Sequence, residues 1–109
     1  MGLTKNEVQN IIIKHLEENP KTQLTSIRHS VEHVLESRGI TGKQVKGGQF
    51  LRTEWIERIS DEDALLINEV IYDLLYGRII TPGINADNLE LPWVHVSSWE
   101  KLSALKASY

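Results

Sequence analysis

Val8, Ile11, Ile12 and Leu16 recur at the three- and four-residue spacing that gathers side chains on one face of a helix. Thr4 and Glu7 stand just ahead of them as T-x-x-E, a pattern in which each side chain accepts the other residue's backbone N–H at a helix start. Asn19-Pro20 ends the run, because proline disfavours the α region for the residue before it. A second helix is expected from about Leu24 to Ser37, with Leu24, Ile27, Val31, Val34 and Leu35 as its core stripe and Gly39 as its stop. Residues 39–53 break the periodicity with four glycines in a basic stretch, and the pattern predicts a long loop there. A helical turn over Glu54–Ile59 would follow, anchored by Trp55, Ile56 and Ile59.

Ser60 and Asp63 repeat the capping-box spacing before a third helix that runs to about Tyr76 and closes at Gly77. Ala64, Ile67, Val70, Ile71, Leu74 and Leu75 are its expected core face. Arg78-Ile79-Ile80-Thr81 reads as a strand stopped by a Pro82-Gly83 type II turn. After a polar stretch over 84–92, Trp93-Val94-His95-Val96-Ser97 alternates as a second strand, antiparallel to the first. Ser97 and Glu100 then cap a short terminal helix carrying Trp99, Leu102 and Leu105. These elements predict a mainly α, α+β fold: a three-helix core, a two-stranded β-wing and a C-terminal helix, in one domain over residues 1–109.

The chain's 109 residues suit one domain, which is also compatible with a unit cut from a longer protein. Cysteine is absent, so disulfides, thiolate metal sites and cysteine nucleophiles are excluded. The N-terminus lacks the apolar core of a secretory signal and no segment is apolar enough to span a membrane, so a cytoplasmic location is expected. Twelve Lys and Arg against fifteen Asp and Glu leave a formal charge of −3, without the basic footprint of a whole-chain nucleic-acid binder. The charge is unevenly placed. Residues 21–58 carry seven cations and four carboxylates, whereas residues 59–92 carry one cation and seven carboxylates.

The stretch Leu74-Leu75-Tyr76-Gly77-Arg78-Ile79-Ile80, followed by Thr81-Pro82-Gly83 and then by Pro92-Trp93-Val94-His95-Val96-Ser97, resembles the end of bacterial winged helix-turn-helix domains. The resemblance is carried by residues 63–102 and reaches the first fifty only through helix order. It implies duplex DNA as a partner, with the third helix in the major groove and the wing on the backbone or in the minor groove. The outward face of that helix would present Leu65, Glu69, Tyr72, Asp73 and Tyr76, with none of the Arg or Lys that phosphates and guanine edges require. The expected phosphate contacts therefore lie in the basic middle, at Arg28, Lys43, Lys46, Arg52 and Arg58, with Arg78 at the wing base. The alternative is a protein-interaction or dimerisation module, with Leu65, Glu69, Tyr72 and Tyr76 as an aromatic, acid-rimmed surface.

Catalytic motifs are thin. His29-Ser30-Val31-Glu32-His33 spells H-x-x-E-H, the inverted zinc-peptidase arrangement, but the helical wheel puts both histidines on the solvent face and no third ligand is identifiable. Gly47-Gly48-Gln49 matches the release-factor tripeptide without any of its surroundings. His15 falls inside the core stripe of the first helix and is expected to be hydrogen-bonded and partly buried, and His95 shares a strand face with Trp93 and Ser97. These patterns predict neither enzyme activity nor a metal or other cofactor.

Overall fold

A computed structural model describes residues 3–47 and 52–107, giving the backbone alone for 43–47 and 52–57. The chain is a mixed α+β protein. Among the described residues it forms four helices, a three-stranded antiparallel sheet and a separate two-stranded one, in the order α1 (Lys5–Glu18), β1 (Lys21–Gln23), α2 (Leu24–Ser37), β2 (Gly42–Gly47), β3 (Arg52–Glu57), α3 (Asp61–Tyr76), β4 (Ile80–Pro82), β5 (Trp93–Val96) and α4 (Trp99–Ala107). No helix among the described residues is long and apolar enough to cross a membrane.

The helix starts follow from their caps. At α1 the Thr4 hydroxyl accepts the Glu7 N–H and the Glu7 carboxylate accepts the Thr4 N–H, both at 3.2 Å. Ser60 caps α3 by accepting the Asp63 N–H at 3.1 Å, but the expected box is only half formed. The Asp63 carboxylate is buried and accepts the Leu3 N–H from the N-terminal segment instead. Helix α2 has no side-chain cap, and its first amide, Leu24 N–H, donates to the Pro92 carbonyl at 2.9 Å. An orphan donor at a helix end is thus satisfied by the strand region that packs beside it. At α4 the capping hydroxyl is Ser98, which accepts the Lys101 N–H, and not Ser97 as expected. Ser97 Oγ donates to the Arg78 carbonyl.

Two sheet features depart from the sequence reading. Strand β1 was not expected, and it makes the sheet three-stranded, in the order β1-β5-β4, with Thr22 opposite Val94 and Ile80 opposite Val96. Strand β4 does end at Pro82-Gly83, with Pro82 opposite Val94 and the Gly83 N–H donating to the Trp93 carbonyl at 2.7 Å. The larger departure is at residues 42–57, which form a β-hairpin where a loop and a helical turn were expected. Gly42 and Gly47 bound β2 instead of dissolving it, and Thr53, Trp55 and Ile56 are residue types that favour extended backbone over a helical turn.

The core lies where α1, α2 and α3 meet one face of the three-stranded sheet. Ile12, Leu16, Ile27, Leu35, Ile71, Leu74, Ile80 and Val94 are fully buried there. Deleting such a side chain to alanine costs about 2–5 kcal/mol. Ile59 packs against this core, as expected, but Ala64 is exposed, and the α3 core face runs instead through Asp63, Ile67, Val70, Ile71 and Leu74. Leu102 fastens α4 to the body, and a Lys106–Glu17 ion pair at 3.0 Å ties its end to α1.

Candidate functional site

Helix α3 turns its apolar stripe inward and therefore leaves Leu65, Glu69, Tyr72 and Tyr76 on its outer side. Leu65 is 68% exposed and Tyr76 is 83% exposed, while Tyr72 at 38% is partly covered. The two tyrosines are one turn apart, their ring centroids 5.9 Å from one another and their planes tilted by 42°. Helix α3 contains no lysine or arginine.

The carboxylates beside this ridge are already engaged. Lys5 on α1 bridges Glu69 at 3.0 Å and Asp73 at 3.1 Å, two residues one turn apart on α3. The hydrogen bonds to Glu69 and then Asp73 hold the Lys5 ammonium above the usual lysine range. On the other flank Arg28 of α2 donates to Asn68 Oδ1 at 2.9 Å. The exposed strip from Leu65 to Tyr76 is thus uncharged along its crest and framed by paired polar groups. Spacing along α3 is enough to find the crest. Lys5 and Asn68 are missed by sequence reasoning, because their partners lie on other helices and share no register with them.

Of the six expected phosphate contacts, the three with described side chains, Arg28, Arg58 and Arg78, stand in different settings. Arg28 is half-buried, and its guanidinium braces α2 against α3 through the bond to Asn68. Arg58 is exposed but lines an opening of about 550 Å³ together with Glu32, Glu36 and Asp61, an acidic setting for a phosphate ligand. Arg78 is exposed at the end of α3. Lys43, Lys46 and Arg52 lie on the hairpin, opposite Ile56, Thr53 and Gly47 respectively. That register puts Lys46 and Arg52 at adjoining positions toward one end of the ribbon. The side chains of these three lie outside the described residues.

The segment between β4 and β5 is held by its own polar groups. The Asn85 side-chain oxygen accepts the backbone N–H groups of Asp87 and Asn88, both at 3.0 Å. At its base His95 Nδ1 is 2.7 Å from the Gly83 carbonyl, a contact that requires the proton on Nδ1. His95 is therefore a structural clamp.

The remaining motifs find ordinary settings. His29 and His33 are exposed, and His29 Nε2 lies 3.9 Å from Glu32 Oε2. Among the described residues no group of three or more His, Cys, Asp or Glu side chains could hold a metal ion. His15 is half-buried with Nε2 at 3.2 Å from the Thr22 hydroxyl, and desolvation pushes its imidazole below the usual histidine range. Gly48 and Gln49 of the glycine-glycine-glutamine tripeptide lie outside the described residues. The chain matches no protein-family model, no curated protein and no solved structure.

Proposed function

We propose that the chain is a winged-helix domain serving as a protein-interaction module, with the outer face of α3 as its binding surface. What supports the winged-helix reading is the order α1-β1-α2-α3-β4-β5 with sheet order β1-β5-β4, into which the hairpin is inserted between α2 and α3. The observation that carries the interaction reading is the exposed, cation-free crest of Leu65, Tyr72 and Tyr76. Tyrosines contribute large contact areas at low entropic cost and are enriched at the energetic centres of interfaces. A duplex approaching the same face meets no lysine or arginine on α3, and the Lys5 beside it is already held by Glu69 and Asp73.

Sedimentation velocity and thermal unfolding of Leu65→Ala and Tyr76→Ala test this reading. Wild-type protein is expected to self-associate, and the two variants to lose that association with a nearly unchanged Tm. A large fall in Tm would show that these side chains stabilise the fold itself, and would overturn the assignment.

The hairpin supports a second reading, binding of duplex DNA, because a two-stranded ribbon has a cross-section that the major groove admits and this one carries Lys43, Lys46 and Arg52. Fluorescence anisotropy of a labelled random-sequence duplex separates the two. Binding that falls with added salt and is weakened by Lys43→Glu/Lys46→Glu favours DNA, and its absence at low salt removes that reading.

A further inference from the structure

Resting on the reading of α3 as a protein interface, we infer that its occupant is the same face of a second copy of this chain, the two α3 helices packed antiparallel about a two-fold axis. Asp61, Leu65, Glu69, Tyr72 and Tyr76 follow one another at three- and four-residue spacing, and all are exposed, so the outer face runs unbroken from one end of the helix to the other. Its two ends differ in charge. The first turn carries Asp61 and Glu62, and Arg78 lies two residues beyond Tyr76. All three are exposed, and among the described residues none forms an ion pair.

Antiparallel packing brings each end of one helix against the opposite end of the other. Leu65 and Tyr76 stand about 16.5 Å apart along α3, at 1.5 Å per residue. With Leu65 of one copy beside Tyr76 of the second, Glu69 faces the second copy's Tyr72, and Arg78 reaches the second copy's Asp61 and Glu62. The same contacts recur across the axis, as two-fold symmetry requires. Parallel packing would set Arg78 against Arg78 and carboxylate against carboxylate. Charge complementarity thus favours the antiparallel pair, in which each copy supplies the counter-charge the other leaves without a partner.

Shape agrees with charge. Tyr76 stands out into solvent, while an opening of about 450 Å³ beside Leu65 is lined by Leu3, Leu65 and Leu66 together with Glu62 and Glu69. The register that sets Tyr76 beside Leu65 delivers its ring to aliphatic walls and its hydroxyl to carboxylates that can accept its proton. Lys5 already holds Glu69 and Asp73, which limits like-charge repulsion near the axis. Arg78 keeps a left-handed backbone, φ 55°, that glycine would adopt without strain, and its pairing across the axis is a gain that a glycine would forgo. A contact confined to one helix per copy is small, so the dimer is weak and forms with rising concentration.

The deciding experiment measures the mass of the full chain by sedimentation over a concentration series, at low and then higher salt. Wild type is expected to pass from monomer to dimer, less readily with added salt. Arg78→Glu and, separately, Asp61→Lys/Glu62→Lys should each raise the dimer Kd by about tenfold or more, because each sets like charges together at both ends. Mixed in equal amounts they should form a heterodimer near the wild-type Kd, since both ends are then oppositely charged. Thermal unfolding establishes that each variant folds. Should either fail, Arg78→Gly, which suits the backbone there, and Asp61→Asn/Glu62→Gln take their places and should also weaken the dimer.

A wild type that stays monomeric at low salt, or a mixture that associates no more tightly than its components, overturns the inference. A dimer lost in Tyr76→Ala yet indifferent to both charge reversals overturns the antiparallel pair while leaving α3 as the interface. A dimer untouched by Tyr76→Ala overturns the reading of α3 along with it.

Discussion

Gly39 and Arg78 occupy the same position at the ends of two helices, α2 and α3, and both have left-handed backbones, with φ of 74° and 55°. Each helix closes with the same pair of bonds. Gly39 and Ile40 donate to the carbonyls of Glu36 and Leu35, and Arg78 and Ile79 donate to those of Leu75 and Leu74. Glycine adopts this conformation freely, whereas an arginine Cβ is crowded there. Gly77, the expected stop of α3, has an ordinary right-handed φ of −75°. Arg78→Gly is therefore expected to stabilise the protein by about 1 kcal/mol. The corresponding rise in Tm is about 4 °C, read by thermal unfolding. Gly39→Ala should destabilise by about the same amount for backbone reasons alone, since nothing lies within 4 Å of an added Cβ.

Asp63 joins the N-terminal segment to α3. It is only 5% exposed and accepts the Leu3 N–H at 3.2 Å. Asp63→Ala strands that donor and removes a carboxylate from the positive end of the helix. A loss of about 1–3 kcal/mol is expected in urea unfolding. Asp63→Asn keeps an acceptor and should lose less. Equal losses in the two variants would show that the charge matters more than the hydrogen bond.

Gly83 sets the base of the β4–β5 connection. Its φ is +105°, and an added Cβ would sit 3.1 Å from the Leu89 carbonyl oxygen and 3.2 Å from the Leu89 Cα. Gly83→Ala should cost about 1–3 kcal/mol. It should also speed hydrogen exchange at Ile84 and Asn88, whose amides close this segment. Unchanged exchange at both amides would mean that the connection absorbs the added methyl without opening.

Among the described residues, three groups with shifted proton affinity feed the pH dependence of stability. His15 is held below its ordinary value by desolvation, partly offset by Glu18, so the unfolded chain binds its proton more readily. Stability then falls as pH drops through about 6.5 towards the depressed native value. The Arg38 and Thr4 hydrogen bonds lower Glu7, and that contribution disappears in a second, more acidic window, below the ordinary glutamate value of about 4.3. Lys5, raised by Glu69 and Asp73, contributes below about 10.4 and is lost as pH rises through its raised value. Tm measured at about pH 7.5 and about pH 5.5 should fall in wild type and fall less in His15→Gln. Equal slopes would remove His15 as the origin of the first window.

Helices α1, α2 and α3, the two strands β4 and β5, and the exposed crest of Leu65, Tyr72 and Tyr76 were legible in the sequence. Their signals are local: a helix bonds each amide to a carbonyl four residues away, so caps and apolar spacing lie within reach of one another along the chain. Only the tertiary structure decided the rest. Three-residue β1 carries no periodicity of its own and exists because Thr22 meets Val94, while the glycine-bounded hairpin hid its pairing of Lys46 with Thr53 behind a loop-like composition. Arg28 became a brace through Asn68, and Lys5 a clamp through Glu69, when helix packing brought together residues forty and sixty-four positions apart. Charge could be counted from the sequence. Which charges remained available for a partner was decided by what each side chain met on folding.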